Sequence, residues 1–164
     1  MAIFGKKIGD YIRFARTGMI LIVLMGVVRF AVGVSGIPYE RATHFVSMTV
    51  LTLVLFLLYG SKAATKDFGT YRHLLPMAFS LSLTMYAFIA IGILVEGLTG
   101  IAGYFHAHTL HALAQNDLVQ QMEIDTALDL PSHIAGQFIV MVPFTLLGWG
   151  LASVGFLIAS RRPQ

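Results

Sequence analysis

The chain has no cysteine, one tryptophan and few charges: Asp, Glu, Lys and Arg make up 12% of its 164 residues. Without cysteine there is no disulfide, no thiolate metal site and no cysteine-ligated iron–sulfur cluster, and the redox compartment cannot be read that way. A soluble domain carries about 25% charged residues, so this chain lacks the polar surface to cover a water-soluble globule. That excludes a disordered chain, a nucleic-acid-binding domain and an ordinary cytosolic enzyme. No His-Glu-x-x-His, Gly-x-Ser-x-Gly or phosphate-loop motif is present, and no internal repeat or low-complexity tract.

What is present is apolar residue in long runs. Hydrophobic side chains are 57% of the sequence, and the mean hydropathy is +0.78. A helix needs about 20 apolar residues to cross a hydrocarbon core of about 30 Å. Ala42 to Ser61, His73 to Val95 and Leu130 to Ser160 contain no Asp, Glu, Lys or Arg. Thr17 to Ile37 contains one charge, Arg29. The expectation is an all-α integral membrane protein, a four-helix antiparallel bundle forming one membrane domain. Its spans are expected near 17–37, 42–60, 75–96 and 133–159, with a long outer loop over 97–132. Gly97 to Asn116 also lacks formal charge, but its three glycines and three histidines argue against a fifth span.

Orientation follows the basic residues. Lys6, Lys7, Arg13, Arg16, Lys62, Lys66, Arg72, Arg161 and Arg162 share one side of this arrangement, nine of the eleven Lys and Arg. Glu40, Glu96, Asp117, Glu123, Asp125 and Asp129 collect on the other with Arg41. Both termini are therefore expected in the cytoplasm of a bacterial-type inner membrane. A rival reading makes the first apolar run a cleaved signal peptide. Arg29 would then fall between its core and its cleavage site, and the two ends of the mature chain would face opposite sides.

Local signals refine the outline. Ile8, Tyr11, Ile12 and Ala15 follow helical spacing, so residues 1–16 are expected as an interfacial amphipathic helix. Ser35-Gly36-Ile37-Pro38 reads as a turn, and Pro76 suits the first turn of the third helix. Asp129 or Ser132 can cap the fourth, and Pro143 should kink it. Ala107, Leu110, Ala114, Leu118 and Met122 share a face, which predicts a surface helix in the outer loop. Ser80, Ser82, Thr84 and Tyr86 could line a polar path, although Ser and Thr in a span usually bond their own helix.

Two sets of residues carry candidate chemistry. Gly18, Gly26, Gly33 and Gly36 fall within about 60° of Arg29 on a helical wheel at 100° per residue. Small residues let neighbouring helices approach closely. A charge in a span costs roughly 2.5–3.5 kcal/mol at mid-membrane, so Arg29 needs a partner, and Glu96 is the expected one. Arg29, Glu96, Gly26 and Gly33 are the structural and interaction residues on this reading.

The second set is histidine. His44, His106, His108, His111 and His133 all lie on the acidic side, His73 on the other. Imidazole ligates zinc, copper and haem iron, so His44, His133 and a loop histidine form a candidate site for Zn, Cu or haem. A b-type haem bundle needs facing histidine pairs within the spans, and the interiors of the first and third spans have none.

Three functions remain. The first is a non-catalytic accessory subunit or assembly factor of a larger membrane complex, whose partners are the lipid bilayer and other membrane subunits. The second is a metal- or haem-binding electron-transfer protein. The third is a small enzyme or transporter for a hydrophobic substrate. No catalytic residue set is recognisable, and no nucleic-acid partner is expected.

Overall fold

The computed structural model describes residues 2–37, 41, 46–101, 104–106 and 129–161. Among the described residues, two short strands, β1 (Ala2–Ile3) and β2 (Lys6–Lys7), precede four helices: α1 (Ile8–Val34), α2 (Met48–Thr65), α3 (Tyr71–Thr99) and α4 (Leu130–Ser160). All four helices are long and apolar enough to cross a membrane, the pattern of a multi-pass helical membrane protein. At a rise of about 1.5 Å per residue, the 18 residues of α2 reach about 27 Å, slightly short of a core of about 30 Å, and the other three helices exceed it.

The helix ends explain where the elements start and stop. Phe4 and Gly5 have φ of 52° and 84°, the pair of left-handed residues that a tight hairpin turn requires. That turn pairs Ala2 with Lys7 and Ile3 with Lys6. The Asp10 carboxylate then accepts the Lys7 N–H at 2.9 Å and starts α1 at residue 8. The expected amphipathic helix over 1–16 is thus corrected. Its first seven residues carry a hairpin, and its remainder is the opening of a helix that continues unbroken to Val34. α1 stops where Gly36 turns left-handed at φ 75° and donates its N–H to Gly33 O at 3.1 Å.

α2 ends in a six-to-one bond from Phe68 N–H to Ala63 O at 2.9 Å, with Asp67 left-handed. α3 begins at Tyr71, earlier than the expected 75, because His73 completes a cap. Its Nδ1 accepts the Thr70 N–H at 3.0 Å, so Nε2 carries the ring proton and donates to Phe4 O at 3.0 Å. Pro76 consequently lies inside the helix rather than in its first turn. Asp129 caps α4, accepting from Ser132 N at 3.2 Å and Ser132 Oγ at 2.7 Å. Pro143 lies inside that helix. The predicted outer-loop surface helix lies outside the described residues.

The chain divides into two compact units. Unit 1 comprises residues 1–23, 48–85 and 141–164. Its helices meet through glycine. A Cβ on Gly60 would stand 1.9 Å from Ala152 O, and one on Gly155 would stand 2.2 Å from Leu57 O. α2 and α4 are therefore in backbone contact, sealed by Ser61 Oγ donating to Gly155 O at 3.0 Å. Phe56 lies against Gly148, Gly60 against Ala152 and Ser61 against Gly155, so α2 and α4 run in the same direction there.

The Tyr59 hydroxyl reaches into α1, accepting from Gly18 N–H at 2.7 Å and donating to Ala15 O at 3.4 Å. Phe14 stacks on Phe68 at 3.9 Å, and Lys62 Nζ sits over the Phe14 and Tyr59 rings. Ser80 and Thr84 bond back to Pro76 O and Ser80 O, both at 2.9 Å, the usual behaviour of hydroxyls in a span.

Unit 2 comprises residues 24–47 and 86–140. Gly26 sits beneath Phe88, whose ring a Cβ would meet at 2.4 Å. Gly97 packs against Leu130, joining the end of α3 to the start of α4.

Candidate functional site

Arg29 of α1 and Glu96 of α3 converge in unit 2 on one non-helical tripeptide, Tyr104-Phe105-His106. Glu96, on the last turns of α3, is 5% exposed. Its Oε1 accepts the Phe105 N–H at 2.9 Å and its Oε2 the His106 N–H at 2.7 Å. Arg29, on α1, supplies the opposite polarity. Its Nη2 donates to Tyr104 O at 3.3 Å and its Nη1 to Val46 O at 3.4 Å. A carboxylate therefore takes the amide hydrogens of the segment while a guanidinium takes its carbonyl.

The reason lies in the medium. Peptide groups outside a helix have no partners of their own, and in an apolar setting each unmet group costs several kcal/mol. Charge-assisted bonds are worth about 1.5–3 kcal/mol each, so one carboxylate shared by two amides is an efficient anchor.

The aromatic side chains complete the grip. Phe105 is buried against Phe30 and Phe88, with centroid separations of 6.4 and 6.0 Å. It lies over Gly92, where a Cβ would approach its ring to 2.5 Å. Arg29 Cζ sits 5.4 Å from the same ring centroid, a cation–π contact. The Tyr104 hydroxyl donates to Ile37 O in the turn that ends α1.

Arg29 and Glu96 act on each other electrostatically. Their geometric connection, however, runs through the backbone of 104–106 rather than through a direct bridge. Gly26 lies one helical turn before Arg29, under Phe88, and Gly33 is buried nearer the end of α1.

Two of the five candidate metal-ligating histidines are brought together. His106 Nδ1 stands 3.3 Å from His133 Nδ1, with ring centroids 5.4 Å apart and planes tilted by 43°. His133 occupies the first turn of α4 and is 9% exposed. Its N–H donates to Asp129 O at 2.9 Å. His44, His108 and His111 lie outside the described residues, as does Glu40. Among the described residues no three His, Cys, Asp or Glu side chains gather within reach of one ion.

Sequence reasoning overlooked Tyr104 and Phe105. The available signal was two adjacent aromatics inside a glycine-rich connection, followed directly by a histidine. Hydropathy reads such a segment as marginal membrane sequence, and nothing in it names the buried carboxylate that receives it. No protein-family model, curated protein or solved structure matches this chain.

Proposed function

We propose that the protein is a non-catalytic accessory subunit or assembly factor of a larger membrane complex. The observation that carries this reading is where Arg29 and Glu96 spend their hydrogen bonds: on backbone groups of Tyr104, Phe105, His106 and Val46. A transporter or enzyme in lipid directs its rare intramembrane charges at substrate, ion or proton. Here they hold the chain's own fold. The backbone-to-backbone packing of α2 on α4 points the same way, since it builds a stiff scaffold rather than a gated cavity.

The membrane is a bacterial-type inner membrane on this reading, with both ends of the chain cytoplasmic. The basic residues flanking the spans support that orientation. The shared direction of α2 and α4 fits alternate crossings, whichever side the ends occupy.

The test is native-size analysis of the tagged full chain, extracted from its own membranes in mild detergent. The expected result is a species containing other integral subunits in fixed stoichiometry, also captured by crosslinking in intact membranes. Arg29→Leu should lose those subunits, whereas His73→Asn, in unit 1, should keep them. A wild-type chain that runs alone, with lipid as its sole companion, overturns the proposal.

A further inference from the structure

The geometry points to a divalent transition-metal clip made by His106 and His133, binding zinc or copper through the two Nδ1 atoms. The separation is the first argument. The two Nδ1 atoms stand 3.3 Å apart, within hydrogen-bonding reach of each other when no ion lies between them. Two ligands of a tetrahedral zinc, each about 2.0–2.1 Å from the ion, are separated by about 3.3–3.4 Å. The pair therefore has the spacing of two corners of a coordination tetrahedron.

Preorganisation is the second argument. The His106 backbone is fixed by Glu96 Oε2 at 2.7 Å, and the His133 backbone by the α4 cap at Asp129. Both rings thus rise from anchored peptide groups, the condition under which a first ligand set binds without an ordering penalty. Ligation through Nδ1 places the ring proton on Nε2, so each imidazole binds the ion in its neutral form.

The ligand type follows from the donors. Two neutral imidazoles suit zinc and copper and do not suit calcium or magnesium, which take oxygen. Haem does not fit this pair, because its axial ligands face each other across the iron. No porphyrin plane passes between nitrogens 3.3 Å apart. Two further coordination positions are left for water or an incoming ligand. The clip would fasten the tripeptide after α3 to the first turn of α4, adding a bond across a connection that the Glu96 clasp holds from one side. It stands apart from the subunit proposal: its failure leaves the Arg29 test unaffected.

The experiment uses the full chain in mild detergent, stripped with chelator and titrated with Zn²⁺ alone, then with Cu²⁺ alone for electron paramagnetic resonance. One zinc per chain is expected, together with a rise in melting temperature. His106→Asn and His133→Asn should each weaken binding by at least about tenfold, since even substitutions around a metal's ligands cost that much. His73→Asn should leave binding intact. The copper spectrum should show coupling to at least two imidazole nitrogens in the wild type and one fewer in each variant. That wild-type count decides the matter even if a variant fails to fold. No zinc uptake, equal loss in His73→Asn, unchanged affinity in both variants, or a copper spectrum without imidazole coupling would each overturn the clip.

Discussion

Unit 1 and unit 2 solve the same problem with different chemistry. In unit 1 the helices touch through missing side chains: Gly60 on Ala152, Gly155 on Leu57 and Gly18 on Tyr59. Its polar contacts are neutral or lie at exposed ends, such as Trp149 Nε1 donating to Tyr71 O at 3.0 Å. Unit 2 instead uses a buried carboxylate and a half-buried guanidinium. The difference follows from secondary structure. Helices in unit 1 satisfy their own peptide groups and need only shape, whereas unit 2 must bury a stretch of non-helical backbone. In lipid such backbone is tolerated only where protein supplies its partners.

The glycines where α2 meets α4 offer the sharpest way to break that contrast. A Cβ at Gly60 or Gly155 collides with a carbonyl oxygen, and backbone cannot swing aside as a side chain can. Gly60→Ala should therefore cost at least the upper part of the ~1–3 kcal/mol range for overpacking. It should appear as loss of monodisperse protein in detergent chromatography. Gly150→Ala enters open space and should leave the elution profile unchanged. If both substitutions behaved alike, shape would not be what holds unit 1 together.

The clasp comes next in size. Glu96→Ala strands one buried and one part-buried amide, the first at about 1–3 kcal/mol, so amide hydrogen exchange should accelerate at Phe105 and His106 and remain slow in α2. Glu96→Gln keeps an acceptor for one amide and should lie between the two. Equal exchange in Ala and wild type would remove Glu96 as the anchor.

The smallest expected effect is that of Tyr59→Phe. Removing a hydroxyl that bonds Gly18 N–H and Ala15 O should cost about 1 kcal/mol, read as a lower midpoint of thermal unfolding in detergent. The ring would still fill the space beside Gly18. A cost as large as that of Glu96→Ala would mean that unit 1 depends on polar bonds as much as unit 2 does.

Much of the outline was legible along the chain, and particular residues show why. Of the two candidate caps for α4, Asp129 and Ser132, Asp129 takes the role by accepting from Ser132, and the pair was legible because capping depends on a residue and its next three neighbours. Arg29 and Glu96 stood out as isolated charges beside apolar runs. That they meet on Tyr104, Phe105 and His106 was not legible. The segment is short, apolar in composition and without periodicity, and its partners lie on two distant helices. The starts of α1 and α3 were misjudged for a related reason. Asp10 bonds back to Lys7, and His73 caps Thr70 with an imidazole, a residue that propensity does not nominate for the task.

The sequence by itself determined four apolar helices of membrane-crossing length and the basic character of the segments flanking them. Each of those properties belongs to one stretch of chain, because the bilayer tests every span separately for length and polarity. The tertiary structure decided which glycine meets which carbonyl, which backbone Glu96 and Arg29 hold, and that His106 faces His133. Those outcomes depend on the rotation and register of one helix against another. Small-residue packing sets both, and a small residue carries almost no hydropathy signal of its own.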